Sequence, residues 1–250
     1  MKKIAFVTGA TSGIGEAIAR ALAPEYTLII CGRRVKRLKS LADELSKITD
    51  VRTLSFDVSD AQAVNEAVNS LPTEWQNIQV LVNNAGNAHG RAPIHEGDLE
   101  DWDAMIDGNL KGLLYVTRAI SPGMVERKSG DIINIGSIAG KEVYPDGNVY
   151  CASKFGVDAA TNGMRMDLNP YGIRVIGIHP GLVETEFSMV RFKGDENKSE
   201  SVYKGITPLY AEDIAETVKF VVGRPPHVTI ADITIFPTAQ ASSTIVNRQS

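Results

Sequence analysis

The chain has 250 residues, 43% of them hydrophobic and 22% charged, with a formal net charge of −4 and only two cysteines. That length and apolar content allow one large core and exclude a disordered chain, and the acidic balance gives no basic footprint for nucleic acid or an anionic membrane surface. Cys31 and Cys151 form no Cys-x-x-Cys pair and the four histidines are scattered, so disulfide and zinc frameworks are excluded and a reducing cytoplasm is the expected setting.

Lys2-Lys3 and the apolar residues 4–7 imitate the start of a signal peptide, but Gly9 to Gly15 interrupt the run before it is long enough, and no stretch is long and apolar enough to span a membrane. Residues 4–7 read instead as a first strand. They lead through Thr8-Gly9-Ala10-Thr11-Ser12-Gly13-Ile14-Gly15 into a helical pattern ending near Ala23. In a strand–turn–helix such glycines let the backbone approach a pyrophosphate, which the helix N-terminus then holds, although Gly-x-x-x-Gly-x-Gly departs from the usual dinucleotide spacing.

Residues 28–31 read as the second strand, followed by Gly32-Arg33-Arg34 where an NAD site would carry an acid. Cations at the start of the helix over 35–45 oppose its dipole, so the pair needs another purpose; a 2′-phosphate supplies one and favours NADP over NAD. Residues 53–56 form a third strand, then Asp57-Val58 and a helix capped by Ser59-Asp60 and reaching Ser70. Asp57 suits either an adenine amino group or an ordinary turn. Residues 80–82 are a fourth strand ending in Asn83-Asn84-Ala85-Gly86, whose small residues admit a flat ring, and Asn83 suits cofactor contact or loop tying equally.

A long helix is expected over 100–125, with Asn109 beside Gly108 and Gly112 as a buried amide that needs partners, either backbone carbonyls or an ordered water. The fifth strand, 131–135, delivers Ser137 to the ligand edge of the sheet, as a cap or as a catalytic hydroxyl. The sequence around it does not match a hydrolase elbow. A helix over 148–168 carries Tyr150 and Lys154 one turn apart on one face, where a cation favours the phenolate and makes Tyr150 a usable acid and base. The sixth strand, 174–179, ends at Pro180-Gly181. A long polar segment follows, with 184–208 expected as a lid over substrate. A helix over 211–222, a last strand over 228–235 and a polar tail complete the pattern. The strand–helix alternation predicts an α/β fold, a doubly wound parallel sheet of about seven strands with helices on both faces, as a single domain over 1–250.

Taken together, Thr8-Gly9-x-x-x-Gly13-Ile14-Gly15, Asn83-Asn84-Ala85-Gly86, Asn109, Ser137, Tyr150-x-x-x-Lys154 and Pro180-Gly181 resemble the short-chain dehydrogenase/reductase family over essentially the whole chain. The resemblance implies a Rossmann-type domain that moves a hydride between NADP(H) and an alcohol or carbonyl carbon. It implies Tyr150 as general acid/base, Lys154 lowering its pKa and bonding the nicotinamide ribose, Ser137 orienting the substrate oxygen, and Asn109 anchoring a relay water. Gly9, Thr11, Ser12, Gly13, Ile14, Gly15, Arg33, Arg34, Asp57, Val58, Asn84, Ala85, Gly86, Pro180, Gly181, Val183 and Thr185 would hold the cofactor.

The run from Pro180 to Phe187, with Val190-Arg191-Phe192-Lys193-Gly194-Asp195, is similar to the group that oxidises serine, allo-threonine and other 3-hydroxy acids such as 3-hydroxyisobutyrate and 3-hydroxypropionate. The alternatives are a broad-specificity NADPH-dependent carbonyl reductase and a non-catalytic NADP-binding sensor. From residue type, Arg191 or Lys193 is expected to reach a substrate carboxylate or to stay solvated. The family's habit implies a homotetramer or homodimer built through the two long helices, with no metal.

Overall fold

Apolar runs that lack polar alternation belong to strands buried on both faces, and the architecture bears this out. The computed structural model describes residues 2–249; Met1 and Ser250, the ends of the expected 1–250 unit, lie outside the described residues. The strands are β1 (Lys3–Val7), β2 (Tyr26–Cys31), β3 (Val51–Leu54), β4 (Ile78–Asn83), β5 (Gly130–Ile135), β6 (Ile173–Pro180) and β7 (Asp232–Ile235). They form one sheet in the order β3-β2-β1-β4-β5-β6-β7, with every neighbouring pair parallel. The chain builds outward from β1 in one direction, then restarts at β4 in the other, and the crevice between β1 and β4 is the switch point at which such sheets bind ligands.

Because side chains alternate along a strand, each run feeds two cores. Ala5, Val7, Leu28, Ile30, Val80, Val82, Ile133, Ile135, Ile176 and Ile178 pack under α1 (Gly13–Leu22), α2 (Val35–Leu45) and α9 (Ala211–Val222). The intervening Ile4, Phe6, Ile29, Cys31, Leu81, Ile132 and Val175 face α3 (Ala61–Asn69), α5 (Gly112–Arg127) and the end of α6 (Asn148–Leu168). A buried polar chain crosses the second face. Asn83 Nδ2 donates to Thr117 Oγ1 and Asn134 Oδ1, both at 2.9 Å, and Asn134 Nδ2 donates to Thr161 Oγ1 at 2.9 Å. Asn83 therefore ties β4 to β5 and α5.

Several boundaries differ from expectation, three of them with a clear physical cause. The third strand is Val51–Leu54 instead of 53–56, because its partner β2 ends at Cys31 opposite Leu54. The last strand starts at Asp232 instead of 228, since the Val228 carbonyl accepts from Arg174 Nη1 at 2.9 Å outside the ladder. The helix expected over 100–125 is broken: α4 (Leu99–Ile106) and α5 are joined by a π-helical turn, Asp107–Lys111, centred on Asn109. Such turns concentrate at functional sites. Here Gly112 permits it, since a Cβ there would lie 2.7 Å from Val58 Cγ2.

The polar stretch after β6 is not extended loop. It folds into α7 (Phe187–Arg191) and α8 (Glu196–Ser201), and the Gly90 N–H donates to the Arg191 carbonyl at 2.8 Å.

Candidate active site

The carboxyl ends of β1, β4, β5 and β6 open onto one cleft of about 850 Å³, inside the roughly 300–1,000 Å³ usual for small-ligand sites. One end is made by the glycine turn. Gly9 and Gly13 have φ of +66° and +52°, and a Cβ on Gly15 would sit 2.4 Å from the Gly9 carbonyl oxygen, so side chains at these positions would fill the cradle. Ser12, the N-cap of α1, makes no side-chain cap bond, which leaves helix N–H groups for an anion. Asn84 and Ala85 close the turn from β4: both backbone N–H groups donate to Thr8 Oγ1 at 2.9 Å, and Asn84 Nδ2 donates to the Thr8 carbonyl at 3.0 Å.

The arginine pair divides its work. Arg34 Nε donates to Thr11 Oγ1 at 3.1 Å, Nη2 donates to Ser12 Oγ, and Nη1 pairs with Glu186 at 2.7 Å, a carboxylate shared with Arg37. Arg33, well exposed, reaches Asp57 at 3.0 Å. Burial raises the Asp57 carboxyl, but bonds from Ser59 and Arg33 outweigh it and hold it below the usual range. Two guanidiniums thus flank the cradle, the chemistry a phosphate beyond the pyrophosphate requires. Val58, Pro180, Gly181 and Val183 line the same cleft, and Thr185 presses on the turn, with its Cβ 3.2 Å from where a Gly13 Cβ would be.

The inner end holds Ser137, Tyr150 and Lys154. Ser137 leaves the end of β5 and its Oγ accepts from the Ala139 N–H at 3.1 Å, so it is also the cap of the next turn. Tyr150 is buried against Phe187, ring centroids 5.7 Å apart. Lys154 Nζ donates to the Ile135 carbonyl at 3.1 Å, and burial pushes the ammonium down to about 8. Gly86 leaves room for both neighbours, since a Cβ there would be 3.0 Å from Asn109 Oδ1 and 3.6 Å from Lys154 Nζ. Asn109 Oδ1 accepts from the Asn87 N–H at 2.7 Å. Its Nδ2 donates to the Asn87 carbonyl at 2.9 Å and to Ser153 Oγ at 3.0 Å, and Ser153 donates to the Tyr150 carbonyl.

The electrostatics at the phenol differ from expectation. Burial, with Tyr144, holds the Tyr150 phenol well above its ordinary value instead of below it, and Arg191 and Ser137 offset only part of that rise. The cation over its ring is Arg191, with Cζ 5.0 Å from the centroid. Lys193 points elsewhere: it pairs with Asp101 at 3.0 Å and Asp98 at 3.4 Å and does not line the cleft, so it is not available for a substrate carboxylate.

Thr8, the first residue of the glycine motif, braces the turn. Several other contributors had no mark in the sequence: Asn87 and Ser153 brace loop and helix, and Tyr144 accepts a hydrogen bond from Arg191 Nη2. The expected polar tail folds back to line the cleft with Gln240, Thr244 and Arg248. Gln240 Oε1 accepts from the Leu182 N–H at 2.8 Å, and Arg248 donates to the carbonyls of Lys204 and Val202. Behind Ser137, the carboxylates of Asp158 and Asp232 and the ring of His179 converge closely enough for a cation, and Lys141 Nζ supplies it, at 2.8 and 2.6 Å from the two carboxylates.

The description "short chain dehydrogenase" fits a profile matched over residues 3–196. Over 240 residues the chain is 49% identical to the NADP-dependent 3-hydroxy acid dehydrogenase YdfG of Salmonella typhi, covering 95% of this chain and 96% of that protein. It is 44% identical to sulfoacetaldehyde reductase 2 of Chromohalobacter salexigens, over 97% of both chains. Among solved structures it superposes on the closed form of a serine dehydrogenase complexed with NADP+ with a TM-score of 0.93 at 47% identity, covering 98% of this chain and 100% of that one. A parallel sheet with a glycine cradle at its switch point, together with matches of this extent, places the chain in the short-chain dehydrogenase family.

Proposed function

We propose that the chain is an NADP-dependent oxidoreductase acting on the CH–OH group of a small 3-hydroxy acid or hydroxy amino acid, and on the matching carbonyl in reverse. The observation that carries the substrate class is the Arg191 guanidinium, set beside the proposed acid with a buried Nε that has no hydrogen-bond partner among the described residues. A buried N–H left without a partner is costly unless a ligand completes it, and oxoanions bond a guanidinium with two parallel bonds. Relatives that act on 3-hydroxy acids, serine and a sulfonated aldehyde support an anionic head group.

The cradle of Gly9, Gly13 and Gly15 fits a pyrophosphate, and Arg33 and Arg34 fit the 2′-phosphate of NADP. The bound nicotinamide supplies or accepts the hydride. Everything else falls to the chain. Tyr150 gives its phenol proton to the substrate oxygen in reduction and takes it in oxidation. Ser137 stabilises charge building on that oxygen. Lys154 holds the nicotinamide ribose, and Asn109, whose own amide is spent on Asn87 and Ser153, keeps the π-turn shaped to hold a relay water. Residues 184–208 act as the lid, pinned shut by Glu186 on Arg34 and Arg37 and by Arg191 on Tyr144.

Leu114 on α5 and Phe155 and Met166 on α6 are exposed apolar residues on the two long helices, which supports a homotetramer or homodimer through that face. Among the described residues no helix is long and apolar enough to cross a membrane, and a cytoplasmic setting is part of the same proposal. The test is initial rates with NADP and NAD across serine, allo-threonine, 3-hydroxyisobutyrate, 3-hydroxypropionate, 2-hydroxyethanesulfonate and uncharged secondary alcohols. Turnover with NADP and anionic substrates supports the assignment; equal or better turnover of the uncharged alcohols overturns it in favour of a general carbonyl reductase.

A further inference from the structure

Arg191 does more than offer a place for an anion, because of what else it touches. Its Cζ lies 5.0 Å from the Tyr150 ring centroid and 5.5 Å from that of Tyr144, and its Nη2 donates to Tyr144 Oη. It enters no ion pair among the described residues, in contrast to Lys193, two residues on, which is held by Asp98 and Asp101. The groups facing the Tyr150 phenol are few. Ser137 faces it from the end of β5, Tyr144 from the segment before α6, Cys151 from α6 itself and Arg191 from α7, while Lys154 lines the same cleft but turns its ammonium to the Ile135 carbonyl. Arg91 stands farther off, 5.5 Å from the Tyr144 ring. Asp98, Asp101 and Asp146 line the small cavity below Arg191 together with His89; Lys193 takes up Asp98 and Asp101, and none of the three acids pairs with Arg191. The charge of Arg191 thus has no ion-pair partner among the described residues and lies over the Tyr150 ring.

We propose that Arg191 couples the charge of the substrate to proton transfer at Tyr150: an anionic head group docked on the guanidinium cancels its field at the phenol, so Tyr150 holds its proton to higher pH with an anionic substrate than with a neutral one. The coupling rests on Tyr150 being the general acid/base, as assigned above. A cation within about 4–6 Å lowers an acid by about 1–3 units, and the direction agrees with the pull of Arg191 on Tyr150 and on its neighbour Tyr144. In the oxidation the substrate O–H bond breaks and its proton goes to the Tyr150 phenolate. The hydride leaves the carbinol carbon for NADP+, and the C–O bond becomes C=O. The state of the phenol before the step thus sets the rate, and the charge of the substrate sets the state of the phenol. An anionic substrate gains docking on Arg191 and gives up part of the phenolate population at neutral pH; in reduction, where the protonated phenol is needed, both effects work in the same direction.

The test is single-turnover oxidation by NADP+ as a function of pH, with saturating 3-hydroxyisobutyrate and with its uncharged methyl ester, in the wild type, Arg191→Gln, Arg191→Lys and Tyr150→Phe. The expected result is a rate that rises with pH in both cases, with a midpoint about one unit or more higher for the acid than for the ester. Arg191→Gln raises the ester midpoint to the value seen with the acid, a readout that survives even if that variant binds the acid too weakly to measure, and Arg191→Lys keeps a separation. Coincident midpoints in the wild type, or an unmoved ester midpoint in Arg191→Gln, overturn the coupling. Tyr150→Phe separates the two levels: a loss of a hundredfold or more with coincident wild-type midpoints rejects the coupling alone, whereas retained turnover rejects the assignment of Tyr150 beneath it.

Discussion

Lys154 carries a stability cost that its proposed role at the cofactor explains. The side chain is 7% exposed and its ammonium titrates near 8 in the fold, against about 10.4 for a solvated lysine, and each unit of difference is about 1.4 kcal/mol. Below pH 8 both folded and unfolded chains hold the proton, so the whole penalty of about 3 kcal/mol falls on the cofactor-free fold. Between pH 8 and about 10.4 the unfolded chain binds more protons than the folded one, and stability rises until the penalty is gone. Lys154→Met removes the charge and keeps the volume. It also orphans the Ile135 carbonyl that Lys154 bonds at 3.1 Å, which returns about 1 kcal/mol. The net expectation is a cofactor-free variant about 2 kcal/mol more stable at pH 7, a gain of roughly 4–8 °C in Tm for a chain of this size. Thermal unfolding at pH 7 and pH 10, with and without NADP+, reads this directly. The gain should shrink at pH 10, and NADP+ should stabilise the wild type more than the variant. A variant less stable than wild type at pH 7, or a gain that ignores pH, would refute the reasoning.

Arg34→Ala should raise the KM for NADPH by about 10–100-fold, as expected for one charged hydrogen-bonding group, and leave that for NADH nearly unchanged; equal effects on both cofactors would show that Arg34 serves the lid contact with Glu186 instead. His179 is fully buried, with Nε2 3.1 Å from Asp232, and burial together with Lys141 pushes it below its ordinary value. A histidine depressed in the fold costs stability as pH falls below about 6.5, so His179→Gln should lose less Tm than wild type between pH 7 and pH 5 in parallel melts. Phe155→Glu, on the exposed face of α6, should shift the chain to a smaller species in light scattering after size exclusion while leaving the far-UV spectrum intact; an unchanged mass would remove this face from the assembly.

The architecture was legible because most strands are short apolar runs, glycine or proline marks many of the turns between elements, and the alternation with helices admits few topologies. The boundaries that moved did so where a partner ran out. Residues 55–56 lost their place in β3 when β2 stopped at Cys31, and ahead of β7 the Val228 carbonyl went to Arg174 and the Ala231 carbonyl to Arg165 and the Gly177 N–H. The π-turn at Asn109 had only its two glycines as a sign. The close approach of Val58 to Gly112 and of Asn87 to Gly108 that makes those glycines necessary comes from 54 and 21 residues away in the chain.

By itself the sequence determined the parallel α/β sheet, the glycine cradle with its arginine pair, and the grouping of Ser137, Tyr150 and Lys154, since strand ends and helical spacing are local properties of the chain. Only the tertiary structure decided which cation faces the phenol. Lys154, four residues from Tyr150, turns to the Ile135 carbonyl, while Arg191, forty-one residues on, lies over the ring because α7 folds back onto α6. The same folding gave Lys193 to Asp98 and Asp101, put Tyr144 beside Arg191 and brought the polar tail over the cleft. Charge–charge contacts depend on distance in space, and no periodicity in the chain encodes a distance across a lid.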